Sequence, residues 1–319
     1  MNERHRLERL RTLFGGAPLP PGVELAIGDD AAVLLPGTAR LVWTIDAAVD
    51  GVHFRREWMS LEDVGWRSLM AAASDLAAMG ARPRGVLSAL VLPPHVDDDD
   101  LEALARGQAE AARALGTAVL GGNLSGGTEI SITTCVLGEA TSPILRAGAK
   151  EGDVVAISGA VGLSAAGLEA LRRGTEIPRL APAIEAYRRP RALIDRGLAA
   201  AGLAHAAIDL SDGLALDASR LAAESGLALI FDETSLVRAM PKALEDAAAL
   251  LSLDALELAL FGGEDYALLA TFAPGALAPD FTPVGRCAAG TGVWLEMGDG
   301  SRREIEPRGF DHFQKSTSM

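Results

Sequence analysis

The sequence predicts a two-domain α+β protein, and three observations carry that expectation. The chain has 319 residues, more than a single hydrophobic core usually supports. Helical and strand-like runs follow one another without strict alternation, which disfavours a doubly wound parallel sheet. The stretch "TSPILRAGAKEGD" (141–153) is polar and turn-rich where the first set of elements ends. The expected domains are therefore 1–145 and 146–319.

Leu7, Leu10, Leu13 and Phe14 recur at helical spacing and predict an opening helix that stops at Gly15-Gly16. Strands are expected at "AAVLL" (31–35) and "LVWTI" (41–45). A helix follows from Ser60, which forms a capping box with Asp63, to Gly80. A strand at "GVLSALVL" (85–92) leads to a helix over about 101–115, whose acidic run Asp97–Asp100 reads as a solvated helix N-terminus. "EISITTCVLGEA" (129–140) alternates as a strand. In the second half, "VVAISG" is a strand, "GLSAAGLEALRRG" a helix and "PAIEAYRRPRALIDRGLAAAG" further helix with a proline break. "ALIF", "YALLATF", "FTPVGRC" and "GVWLEM" are strands.

Hydrophobic residues make up 49% of the chain and aromatic ones 4%, so its cores are expected to be aliphatic. A formal net charge of −14 repels phosphate backbones and anionic lipid, which excludes nucleic acid and membranes as expected partners. The N-terminus lacks the apolar run of a secretory signal, and no stretch approaches the roughly 18 apolar residues of a membrane span. A soluble, cytoplasmic protein is expected. Cys135 and Cys287 show no metal-ligand or disulfide spacing and read as packed thiols.

The chemistry-bearing signal is acidic. "AIGDDAAVL" (26–34) sets Asp29 and Asp30 side by side at a strand entrance, where an ionised carboxylate needs a cation or a donor. Asp46 closes the strand "LVWTI" and is followed by Asp50 and His53. Asp75 lies in a helix of small apolar residues, where it is either hydrogen-bonded structure or a metal ligand. In "AIDLSDGLALDASRLAAESG" (207–226), Asp209, Ser211 and Asp212 crowd a strand-to-helix junction. One of them suffices as an N-cap, and the surplus invites a cation. Hard oxygen donors without Cys or His partners suit magnesium. "LGGNLSGG" (120–127) reads as a hairpin loop or, with its exposed amides, as a phosphate cradle. "FGGEDYALL" (261–269) sets Glu264 and Asp265 after a tight turn, and no P-loop motif is present.

Taken in order, "GDDAAV", "DGVHF", "SDLAAMGARP", "RAGAKEGD", "DLSDGL", "GGEDYALL" and the terminal "GFDHF" resemble bacterial thiamine-monophosphate kinases over nearly the whole chain. That family belongs to the superfamily of aminoimidazole-ribonucleotide synthetase and selenophosphate synthetase. The resemblance implies an N-terminal α/β domain whose sheet forms a β-barrel with its copy in a homodimer, and a C-terminal α+β domain closing the site. It implies ATP, thiamine monophosphate and several Mg2+ ions. By this carry-over Asp30, Thr44, Ile45, Asp46, Asp75, Asn123, Asp209 and Asp212 hold metal, Asp29 orienting Asp30 or binding through water. Gly122, Asn123, Arg146 and Ser211 contact ATP, and His53, Glu264 and Phe310 contact the thiamine phosphate. No residue is assigned as a general base, because the acceptor phosphate is already anionic near neutral pH.

Two departures stand out. The family loop usually carries Asp where this chain has Asn123, an oxygen donor without charge. Ile45 replaces a common Thr or Ser, which matters little where the backbone carbonyl is the ligand. The alternatives are another ATP-dependent synthetase of the superfamily and a non-catalytic paralogue that binds nucleotide or thiamine phosphate.

Overall fold

A computed structural model describes residues 3–15, 18–26 and 32–308. In chain order its elements are α1 (Glu3–Gly15), β1 (Val23–Leu25), β2 (Val33–Leu34), β3 (Arg40–Val49), α2 (Leu61–Ala78), β4 (Arg82–Leu92), α3 (Asp98–Ala114), β5 (Val119–Gly126) and β6 (Ser131–Ala140). There follow β7 (Val154–Ser158), α4 (Leu163–Arg172), α5 (Ala181–Arg188), α6 (Ile194–Ala200), β8 (Ala204–Leu210), α7 (Leu214–Ser225) and β9 (Ala228–Asp232). The last are α8 (Glu233–Ala239), α9 (Lys242–Leu251), α10 (Ala255–Phe261), β10 (Ala267–Phe272), β11 (Thr282–Ala288), β12 (Val293–Glu296) and β13 (Arg302–Glu304). The chain divides into one unit of Met1–Ile144 with Arg188–Gly202 and another of Leu145–Tyr187 with Leu203–Met319.

The first unit is built on a four-stranded sheet of order β3-β6-β4-β5, in which only β4 and β5 run parallel. Helix α2 starts at Ser60, where both halves of the capping box form, and packs on β3, β4 and β6. Helix α3 starts at Asp97, whose side chain accepts from the Asp100 amide. Its acidic first turn is not wholly solvated, because Asp98 is buried and accepts from Arg6 Nε of α1 at 2.8 Å. The other face of the sheet is open: Leu41, Trp43 and Ile45 of β3 are 65%, 70% and 66% exposed. Among the described residues the sheet does not close into a barrel, and β3 and β5 are its edges.

Residues Arg188–Gly202, expected in the second half, belong to the first unit. Trp66 Nε1 donates to the Pro190 carbonyl at 2.7 Å, and Arg189 stacks 4.3 Å from a Trp66 ring centroid while pairing with Asp63 and Glu110. A buried indole N–H needs an acceptor, and the returning chain supplies it.

The second unit carries a seven-stranded sheet of order β13-β12-β9-β11-β7-β10-β8, antiparallel except for β9 and β12. Every residue of β10 is buried. Helices α8, α9 and α10 fill a stretch in which the sequence reading expects no element. Cys287 is buried as expected, whereas Cys135 is half-buried on the open face of the first unit's sheet, where it accepts from Trp43 Nε1 at 2.7 Å. No helix among the described residues is long and apolar enough to cross a membrane.

Helices α2 and α3 meet through glycine. A Cβ on Gly107 would lie 1.9 Å from the Glu62 carbonyl oxygen, and one on Gly65 would lie 2.0 Å from that of Leu104. Gly107→Ala must therefore push two backbones apart. We expect it to cost about 3 kcal/mol or more, read as a lower urea midpoint, and an unchanged midpoint would contradict the packing.

Candidate active site

In β3, strand alternation turns Val42, Thr44 and Asp46 toward α2 and Leu41, Trp43 and Ile45 to the open face. The Thr44 hydroxyl donates to Asp75 Oδ2 of α2 at 2.5 Å. Asp46 stands roughly 7 Å further along the same face, is exposed, and accepts from the Ala47 amide at 2.8 Å. It lies inside the strand rather than at its end, because pairing with β6 continues to Val49. Asp75 is half-buried in a helix whose other residues are mostly buried. Ile45 offers this group only its backbone.

His53 sits in the turn after β3. Its Nδ1 accepts from the Val49 amide at 3.1 Å, which assigns the proton of the neutral ring to Nε2 and leaves that atom as a donor. Gly122 and Asn123 are not in a loop: "LGGNLSGG" forms β5, parallel to β4. A Cβ on Gly122 would lie 1.8 Å from the Ser88 carbonyl oxygen, so glycine is required by the approach of the neighbouring strand. The register Asn123–Ala89–Thr133–Ala47 puts Asn123 three strands from β3 and on the open face. That is about 14 Å at ordinary strand spacing. Within one chain, Asn123 and the Thr44–Asp46–Asp75 group occupy opposite faces and opposite edges of the sheet. The open face forms a concavity of about 980 Å³, lined by Trp43, Ile45, Leu87, Asn123 and Cys135 and flanked by Phe14 of α1.

In the second unit, the penultimate residue of β8 is Asp209, which is 5% exposed and opposite Leu268 of β10. Ser211 and Asp212 turn the chain into α7, but neither is its N-cap. That position is Gly213, which has no side chain to offer. The turn is held instead by a residue that the sequence reading does not single out. Asp217 Oδ2 accepts from the amides of Ser211 and Asp212, both at 3.0 Å, and its Oδ1 accepts from Arg220 Nη1 at 2.6 Å. The same Nη1 donates to Asp212 Oδ2 at 2.7 Å. Burial pushes the Asp217 carboxyl up to about 6 against the opposing pull of these donors.

The "GGEDY" turn is tied to the same place. The Glu264 amide donates to the Ser211 carbonyl at 2.7 Å and the Tyr266 amide to that of Leu210 at 2.9 Å. Glu264 and Tyr266 adopt φ of 69° and 50°, a region costly for side-chain-bearing residues. Between them, Asp265 accepts from the amides of Gly162 and Ser164 at the start of α4, at 2.5 and 3.0 Å. Burial raises its carboxyl to about 7 although both amides favour the anion. The Arg146 side chain is exposed, and its carbonyl accepts from Ser225 Oγ at 3.1 Å. Asp29, Asp30 and Phe310 lie outside the described residues.

Each unit thus carries two carboxylates and a hydroxyl on neighbouring positions of its fold: Asp46 and Asp75 with Thr44, whose hydroxyl meets Asp75, and Asp209 and Asp212 flanking Ser211 in sequence. Among the described residues no three acidic, imidazole or thiol side chains gather as a metal cluster. Carboxylate and hydroxyl oxygens are nonetheless the donor type that Mg2+ takes, completing its shell with water and substrate phosphate, although one Asp212 oxygen is already engaged by Arg220.

Residues 28–140 match the N-terminal domain of the AIR synthase related proteins and residues 150–278 match their C-terminal domain. The chain is 35% identical to the thiamine-monophosphate kinase of Aquifex aeolicus over 293 residues, covering 90% of this chain and 92% of that one. It belongs to the thiamine-monophosphate kinase family. The kinase of Mycobacterium tuberculosis is 34% identical over 90% of this chain and 86% of its own. The solved structure of AaThiL complexed with AMPPCP and TMP superposes with a TM-score of 0.81 at 33% identity, covering 98% of this chain and 97% of that one. Hydrogenase maturation protein HypE in complex with ATP, at 19% identity and a TM-score of 0.76 over 96% of this chain and 95% of its own, shares the fold alone.

Asp265 also makes a pH dependence testable. Its carboxyl is raised to about 7 in the folded chain against an ordinary 3.8, so its protonated form favours folding. That contribution is complete below about pH 4, falls as pH rises, and is gone above about 7. The melting temperature of the parent minus that of Asp265→Asn should therefore shrink from pH 4 to 7 and then level off. A difference that grows with pH would contradict the assignment.

Proposed function

We propose that this chain transfers the γ-phosphoryl group of ATP to the phosphate of thiamine monophosphate, giving thiamine diphosphate and ADP. It acts as a cytoplasmic, Mg2+-dependent homodimer. The observation that carries the reading is likeness along nearly the full length, at about a third identity, to thiamine-monophosphate kinases and to one such structure holding an ATP analogue with TMP.

The chemistry asks little of acid–base catalysis. A phosphate monoester has its second pKa near 6, so the attacking oxygen is already anionic and no general base is required. The difficulty is to hold two polyanions in line against their repulsion. Thr44, Asp46 and Asp75 in one unit and Asp209 and Asp212 in the other would hold Mg2+, with Asp30 as a further ligand. When bound, the ions neutralise phosphate charge and polarise the transferring group. Ser211 and Arg146 would bind ATP together with the strand around Gly122, and Arg146 adds a guanidinium suited to phosphate. The His53 Nε2–H is a donor for a thiamine phosphate oxygen, and Glu264 is an acceptor for the cationic end of thiamine. Phe310 would pack against the same substrate.

Dimerisation is supported by the open face of the first sheet. Leu41, Trp43 and Ile45 stand side by side in water, and both sheet edges are free among the described residues. A second copy covering that face would complete the barrel and surround Asn123 with new neighbours.

Incubation with ATP, Mg2+ and thiamine monophosphate should yield thiamine diphosphate by mass spectrometry. ADP formed without it would reject the reaction. Asp75→Asn or Asp209→Asn should each lower turnover more than about 100-fold with the circular dichroism spectrum intact. Near-normal turnover at saturating Mg2+ would reject the metal-holding role. Asn123→Asp restores a charge and should lower the Mg2+ concentration for half-maximal rate. Coincident magnesium titrations would remove Asn123 from the metal site.

A further inference from the structure

One buried, multiply bonded acid in the second unit has a role assigned by neither the motifs nor the proposed reaction. Asp217 is 1% exposed, in the first turn of α7, and three donors meet its two oxygens. A buried carboxylate is costly unless its oxygens are given donors, so what Asp217 grips is what holds it there. Among the described residues it holds the amides of Ser211 and Asp212 on one oxygen and, on the other, Arg220 of α7, whose same nitrogen also holds the Asp212 carboxylate. The ring Asp217–amide–Asp212–Arg220 closes on itself. It sets both the backbone of the turn and the direction of the Asp212 side chain. The opposite side of the turn is fixed by the Glu264 amide on the Ser211 carbonyl.

The geometry points to Asp217 as the positioning residue of the Ser211–Asp212 turn, with Arg220 as its second anchor, so that affinity for magnesium–nucleotide depends on a carboxylate that touches neither. This rests on the reading that Ser211 and Asp212 face nucleotide and metal. Arg220 also acts as an internal counter-cation: it takes one Asp212 oxygen, and the remaining coordinating capacity of that carboxylate is what a divalent cation would use. Asp217 pulls the guanidinium toward itself and so shares it between the two acids.

The test is calorimetric titration of the full chain with a methylene-bridged ATP analogue in Mg2+, together with melting temperatures and steady-state constants. Asp217→Ala removes the acceptor of both turn amides and the charge that shares Arg220, and should weaken binding of the analogue about tenfold or more. Asp217→Asn keeps an oxygen for the two amides but loses the charge that holds Arg220, and should recover most of that affinity, leaving a loss of about threefold. KM for ATP should rise in the same order. A lower melting temperature with parental affinity would make Asp217 a stabilising residue only and overturn the proposal. If Asp217→Ala does not fold, Asp217→Asn decides: unchanged affinity overturns the proposal. Asp212→Asn and Ser211→Ala separate the two levels. If they weaken binding while the Asp217 variants do not, the positioning role alone is wrong. If they too bind normally, the reading of the turn fails and the positioning role falls with it.

Discussion

A carboxylate taken out of water must be given donors, and the donors this chain supplies determine the form of the acidic group in each unit. In the first unit the donor is a strand hydroxyl, Thr44, reaching across to Asp75 on α2 and joining sheet to helix at that point. In the second unit the donors are backbone amides. Asp217 takes two from the turn before α7, and Asp265 takes two from the start of α4. Helix starts have unsatisfied N–H groups, so a carboxylate from a neighbouring segment can cap a helix and fix a loop in one step. Asp212, beside these anchored groups, is held through Arg220, which it shares with Asp217.

The same economy explains the glycines in contact positions. α2 and α3 approach until Gly65 and Gly107 touch opposing carbonyls, and β5 approaches β4 until Gly122 touches Ser88. Close backbones leave one sheet face covered by helices and the other bare. The bare face collects Trp43, Ile45, Leu87 and Cys135, and among the described residues Trp43 and Ile45 remain largely exposed there. An interface built on such a face would also decide what Asn123 meets, since the sheet separates it from Asp46 by its full width.

Local signals were legible in the sequence and tertiary ones were not. The Ser60–Asp63 box and the alternation of β6 each need only a few neighbouring residues, and each reads correctly, whereas the acidic run Asp97–Asp100, read as solvated, includes the cap Asp97 and the buried Asp98. "LGGNLSGG" misleads because glycine usually marks a turn, and here its cause is a strand more than thirty residues earlier. The cap expected from Ser211 or Asp212 is displaced because Asp217, inside the helix, bends back to the same amides. Its pairing with Arg220 at i, i+3 is the signal that could have flagged it. Helix α9 carries Leu244, Ala247, Ala248 and Leu251 at helical spacing, but its ten residues between Met240-Pro241 and Ser252 are short for a confident periodicity. Of the site, Thr44, Asp75, Ser211 and Asp212 prove to be linked to partners that give them a fixed direction, whereas Asn123 stands apart.

Diffraction at the manganese edge, from crystals grown with Mn2+ and a methylene-bridged ATP analogue, tests the central claim most directly. The account predicts anomalous peaks at bonding distance, about 2.2 Å, from oxygens of Asp46 or Asp75 and of Asp209 or Asp212. Nucleotide bound with no peak beside any of these four carboxylates, their oxygens engaged by arginines and amides alone, would contradict it.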